Sequence, residues 1–144
     1  MQKENQSIII EFARKLHGHV GPYLVIGLKM GVAAKAALNV PDIKQTHLRA
    51  EVHVPLQPPT SCLLDGIQVS TTCTVGNQRL QFKNAKTIRA VFKTDKDTKT
   101  VKITLKRQFS RELEQKLKQN LLEEPFAWEL SERAEDLLFD VALE

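Results

Sequence analysis

Apolar residues recur at helical spacing from Ser7 to Leu16, where Ile9, Phe12, Ala13 and Leu16 mark a first helix. The turn His17–Gly21 ends it, because glycine accepts the left-handed backbone that stops a helix. Pro22 then suits the first position of a second helix, which runs to about Leu38 before Pro41 forbids continuation. This helix is apolar nearly all round, the pattern of a buried element. Gly27, Gly31 and Ala34 lie near one of its faces and would let another backbone approach closely.

The period changes to two between His47 and Val54. Leu48, Ala50, Val52 and Val54 take one face, and His47, Arg49, Glu51 and His53 the other, which describes a strand with one buried side. His47 and His53 are expected to be solvated. Pro55, Pro58 and Pro59 break the strand. A short helix over about Cys62–Val69 follows, with Thr60 or Ser61 as its cap. Gly66 inside it weakens the helix and implies close packing.

Three further strands are expected. Leu80 and Phe82 point inward from the first, Ile88, Ala90 and Phe92 from the second, and Val101, Ile103 and Leu105 from the third. A hairpin loop at Asp95–Thr98 joins the last two. Ser110 can cap a helix bearing Leu113, Leu117 and Leu121, and Pro125 opens a last helix carrying Leu130, Ala134, Leu137, Leu138 and Val141, with Phe126 and Trp128 packing it. The pattern is α+β: a single domain over residues 1–144, with an antiparallel sheet packed against N- and C-terminal helices.

Composition agrees with a globular protein, since 42% of residues are hydrophobic and 26% charged. No signal peptide or membrane span is expected, because the apolar run Tyr23–Leu38 carries Lys29 and Lys35. The cytoplasm is the default location. There, Cys62 and Cys73 are expected as thiols, metal ligands or core residues and not as a disulfide. Basic residues crowd the stretch from Lys83 to Arg107, while the tail beyond Ser110 is mostly acidic. A basic patch can bind nucleic acid or an anionic ligand. A solvated sheet face accounts for it more simply, so no nucleic-acid partner is expected.

Chemistry concentrates in two stretches, LHGHVGPYLVIGLKMG at residues 16–31 and PPTSCLLDGIQVSTTCTVGN at residues 58–77. Cys62 is expected in the first turn of its helix, where the backbone amides and helix dipole favour a thiolate. Asp65 and Gln68 follow at steps of three on the same side. His17, His19, Cys62 and Cys73 could together surround a divalent metal, with Asp65 or Gln68 orienting an imidazole or a water. No Cys-x-x-Cys or His-Glu-x-x-His spacing demands this. A polar turn and a pair of small buried cysteines would account for the same residues.

Taken in order, the two stretches resemble the formylmethanofuran dehydrogenase E-subunit family. Its motifs read His-Gly-His-x-Cys-Pro-Gly and Cys-x-x-Asp-x-Ile-Gln-x-x-Thr-Gly-Cys-Thr-x-Gly-Lys, and the match spans about Phe12 to Phe82. The resemblance is to the family's core, without the cysteine-rich ribbon some members carry. It implies an α+β domain, a homodimer that can belong to a larger metabolic complex, and a transition metal held by His17, His19, Cys62 and Cys73. Gln68 and Thr74 are implied as cofactor-binding residues, and Cys62 and Asp65 as catalytic candidates. The expected metal is zinc, with nickel or iron as alternatives. Among the departures from the pattern, three matter: Gly21 replaces a cysteine, Thr72 a glycine and Asn77 a lysine. Loss of the cysteine shifts the expected ligands toward imidazole. The resulting expectation is a metal-binding domain protein accessory to one-carbon or redox metabolism. The alternatives are a metal-free enzyme with Cys62 as nucleophile and His17 or His19 as base, or a non-catalytic binding protein using the basic sheet face.

Overall fold

The computed structural model describes residues 3–40, 48–95 and 99–144, with side chains from Asn5 onward. The chain runs α1 (Lys3–His17), α2 (Pro22–Ala37), β1 (Leu48–Val54), a 3₁₀ turn (Thr60–Cys62), α3 (Leu63–Thr71), β2 (Leu80–Asn84), β3 (Arg89–Thr94) and β4 (Thr100–Leu105). It closes with α4 (Arg107–Lys118), α5 (Glu124–Glu132), α6 (Glu135–Leu138) and β5 (Phe139–Leu143). This is an α+β fold. His47 and the loop residues 96–98 lie outside the described residues.

Helix α2 sits at the centre because its sequence offers no polar side. Leu24, Val25, Ile26, Leu28, Met30, Ala33 and Ala34 are all at most 1% exposed. Pro22 occupies its start, as its fixed φ allows. It packs against α3 and α5 and against strands β4 and β5. Its interior cation at Lys29 is put to use: the ammonium donates to the carbonyls of Leu130, Ser131 and Arg133, the end of α5. The contact of α2 with α3 is backbone to backbone. A Cβ at Gly27 would lie 2.0 Å from the Leu63 carbonyl oxygen, and one at Gly66 2.1 Å from the Leu24 carbonyl oxygen. At Gly31 a Cβ would meet the Ser70 hydroxyl at 1.9 Å.

The five-stranded sheet has the order β2-β1-β3-β4-β5. Leu48, Ala50, Val52, Val54, Ala90, Phe92, Val101 and Ile103 fill its inner face, as the two-residue period requires. The sheet is mixed and not wholly antiparallel. β1 and β2 run parallel, pairing Ala50 with Leu80 and Val52 with Phe82, because α3 carries the chain back between them. The hairpin pairing of β3 with β4 is as expected, with Ala90 opposite Ile103.

Several expectations need correction. Phe82 faces the same side as Val52 but is 42% exposed, because β2 is an edge strand. The last helix does not reach Val141. The Lys29 ammonium closes α5, and Arg133 turns extended. After the single turn of α6, Phe139–Leu143 pairs with the free edge of β4, placing Val141 opposite Ile103. Neither Thr60 nor Ser61 caps α3. The Thr60 hydroxyl donates instead to the Pro55 and Gln57 carbonyls, which ties the turn to the end of β1. Ser110 lies inside α4, whose cap position is Lys106, and only Phe109 and Leu113 of that helix are buried. Leu117 and Leu121 are exposed. In α1, Ile10 and Ala13 enter the core while Ile8, Phe12 and Leu16 stay more than half exposed.

The helix-pair contact generates a direct test. Gly66→Ala drives a methyl into backbone that cannot move aside, with an expected loss of about 3 kcal/mol or more in denaturant unfolding. Gly76→Ala meets nothing closer than 4.0 Å and should change stability by about 0.5 kcal/mol or less. Equal effects at the two positions would contradict the close packing of α2 on α3.

Candidate functional site

Three helices bring the candidate residues together. α1 delivers His17 at its last residue, and Gly18, at φ +99°, turns the chain out of the helix. The Gly18 amide donates to the Arg14 carbonyl at 2.7 Å. α2 holds α3 at backbone distance, and α3 presents Asp65 and Gln68 one turn apart. His17 Nδ1 meets Asp65 Oδ2 at 2.6 Å, linking residues 48 positions apart. The Gln68 amide donates to Asp65 Oδ1 at 3.1 Å, and its own carbonyl accepts the Val75 N–H at 3.0 Å. The chain of bonds therefore runs from the loop after α3, through Gln68 and Asp65, to the imidazole.

This arrangement sets the imidazole's chemistry. A carboxylate only accepts, so Nδ1 is the donor. In the neutral ring, Nε2 then carries the lone pair. That atom is buried and has no hydrogen-bond partner among the described residues. His19 is exposed and stacks on His17, with ring centroids 4.7 Å apart at 24°. A second device anchors the end of α1. Arg14 donates to both oxygens of Glu124, at 3.2 and 2.8 Å, and Trp128 Nε1 donates to Glu124 at 2.9 Å. The Arg14 guanidinium, with help from Trp128, holds the Glu124 carboxyl down to about 2. Nothing local in the sequence announces this clamp, because its partners stand 110 residues apart.

Both cysteines are free, and they stand in different settings. Cys62 sits in the 3₁₀ turn ahead of α3. Burial and the neighbouring charge of Asp65 push its thiol above the ordinary value of 9.0, against the lowering pull of a backbone hydrogen bond. Cys73 is fully buried, its sulfur donating to the Leu48 carbonyl at 3.2 Å, and burial raises it as well. Cys73 thus bonds into the sheet. Among the described residues, no group of three or more His, Cys, Asp or Glu side chains is placed to hold a metal ion. The two imidazoles come together, and the four-residue set does not.

The remaining candidates find clear places. Gln68 and Thr74 line an open groove of about 690 Å³ between α1 and α3, walled by Ile8, Phe12, Leu16 and Val69. Asn77 organises the loop beside it, accepting the Thr74 and Arg79 amides and donating to the Thr72 carbonyl. Gly21 has an ordinary extended backbone, at φ −123°. A Cβ built there would lie 3.9 Å from His19 Nε2. The position that carries cysteine in the resembling family is thus beside the second imidazole. His53 is on the outer sheet face, 3.5 Å from Glu51 and only 19% exposed, so it is less solvated than expected.

Comparison with known proteins agrees with this frame. The family described as "FmdE, Molybdenum formylmethanofuran dehydrogenase operon" matches residues 16–142. A crystal structure of a tungsten formylmethanofuran dehydrogenase FmdE-like protein from Syntrophus aciditrophicus has the same fold. Its TM-score is 0.67 at 19% identity, covering 96% of this chain and 71% of that one. A probable S-adenosyl-L-methionine-binding protein from Archaeoglobus fulgidus is 35% identical over 80 residues. Those residues are 53% of this chain and 22% of the relative, so the chain spans about a fifth of that protein's length.

The thiol states can be read chemically. Iodoacetamide should label Cys62 slowly at about pH 7 and faster only as the pH passes about 9, with Cys73 unlabelled until the protein unfolds. Rapid labelling of Cys62 at neutral pH would mean a thiolate and would contradict the burial and charge argument.

Proposed function

The chain belongs to the FmdE family, and on that premise we propose that it is a metal-binding domain protein accessory to one-carbon or redox metabolism. His17 and His19 are its protein ligands for a divalent transition metal, zinc first among them. One observation carries the reading: His17 Nε2 is buried without a partner among the described residues, while Nδ1 is tied to Asp65. A buried ring nitrogen with nothing to bond costs free energy, and a cation would remove that cost. The imidazole–carboxylate pair is the usual outer support of a metal-bound histidine, with the carboxylate raising the ring's basicity.

The donor set fits an open site and not a closed structural one. Structural zinc takes four protein ligands, while catalytic or ligand-binding zinc leaves positions for water or substrate. Two imidazoles leave such positions. A bound metal would supply Lewis acidity there. The chain's own contribution is orientation: Asp65 fixes the His17 ring, Gln68 fixes Asp65, and the Arg14–Glu124 pair holds the end of α1. The raised Cys62 thiol favours this reading over a metal-free cysteine nucleophile. The reading includes a homodimer, as the family resemblance implies.

Zinc titration followed by competition with a chromophoric chelator tests it. The wild-type protein should bind about one equivalent in the micromolar range. Asp65→Asn should weaken binding by about 10–100-fold, and His17→Ala more than that. Gly21→Cys should tighten it, since the new thiolate would lie beside His19. Circular dichroism of each variant separates lost ligation from lost fold. Absence of zinc binding by a folded wild-type protein would overturn the proposal, as would affinity unchanged in folded His17→Ala.

A further inference from the structure

A groove in the described structure lies where β1 and β4 end and β3 begins. Its volume is about 730 Å³, within the range of small-molecule sites. Four cations line it: Lys86, Arg89, Lys102 and Arg107. None of the four is in an ion pair among the described residues. Several basic residues elsewhere in the chain are in ion pairs. Arg49 and Arg79 share Asp95 at 3.0 Å each, Lys83 meets Glu51 at 3.2 Å, and Arg133 meets Glu112 at 2.6 Å. Of the two acids on the groove, Asp140 lies 3.9 Å from Lys106 and is 68% exposed. Glu114 raises the Tyr23 phenol, together with burial. The groove's charge is thus a positive surplus held close together.

Charge is only half of the surface. Ile88, Leu105 and Leu113 form an apolar wall, and the buried Tyr23 also lines the groove. A simple solvated cationic face would not be concave or carry such a wall. The mixture suits a ligand with an anionic group and a flat or apolar body. Arginine forks match phosphate oxygens in pairs, and lysines add point charge. We propose that this groove binds a phosphorylated small molecule of the nucleotide class, its phosphates on Arg89, Lys102, Arg107 and Lys86 and its ring against the Leu105–Leu113 wall.

Adenosine triphosphate, inorganic triphosphate and adenosine serve as the probes, titrated calorimetrically at low and physiological salt. Adenosine triphosphate should bind most tightly, inorganic triphosphate more weakly and adenosine least. The affinity of the first two should fall with added salt. Arg107→Glu and Arg89→Glu should each weaken adenosine triphosphate by about tenfold or more, as loss of a direct charge contact requires. Arg107 is the exposed first residue of α4, where a carboxylate suits the helix, so that variant should fold. Arg49→Glu, on a different part of the sheet, should leave the affinity within about twofold. No adenosine triphosphate binding at about 1 mM overturns the proposal. So does an Arg49→Glu loss as large as that of Arg107→Glu.

Discussion

The structure depends on a contact in which no side chain intervenes. Gly27 on α2 and Gly66 on α3 let the two helices touch backbone to backbone, with Cβ positions that would fall 2.0–2.1 Å from carbonyl oxygens, and beside them Gly31 makes room for the Ser70 hydroxyl. Such an approach leaves no room for sliding, because a packed interior has no slack of that size. It makes α2 the central post: α3 lies against one side, α5 against another, and the sheet's β4 and β5 edge along it. Since α3 carries Asp65, the same contact sets how far that carboxylate reaches toward the end of α1.

From that contact, the polar line Val75–Gln68–Asp65–His17 follows. Each member fixes the next, so the ring that ends the line has its proton assigned on one nitrogen and its lone pair free on the other. The Arg14–Glu124–Trp128 cluster holds the same helix end from the other side. Burial raises both thiols, while this imidazole lone pair has no partner among the described residues. The neighbouring His19 and the bare Cα at Gly21 give the site room on its exposed side.

Much of this was legible in the residues. Pro22 marked the start of α2, its uniform apolarity marked its burial, and the small residues Gly27, Gly31 and Gly66 marked the close approach. The period of two between Leu48 and Val54 gave the inner face of β1. Asp65 and Gln68, three apart, were on one side of α3 as their spacing requires. What could not be read depended on partners distant in sequence. The stripe of Ile9, Phe12, Ala13 and Leu16 has helical period, but period does not say which of its edges meets the core; Ala13 enters it beside Ile10, while Phe12 and Leu16 stay outside. Phe139–Leu143 carries apolar residues that fit either a helix or a strand, and the open edge of β4 decided in favour of the strand. Phe82 alternates correctly but ends on an edge. Cys62 has the helix-start position of an activated thiol, yet desolvation and Asp65 push it up, an effect that only the packed structure reveals. The bond of the Cys73 sulfur into the sheet at Leu48 is likewise visible only once the chain is folded.

The central claim is that Asp65 presents His17 to a metal through Nε2. Nitrogen-15 NMR of the histidine rings, at mildly alkaline pH with and without zinc, tests it most directly. The account predicts a His17 ring protonated on Nδ1, with zinc displacing the Nε2 resonance and leaving the Nδ1 proton in place. A proton resident on Nε2, or a zinc response at Nδ1, would contradict it.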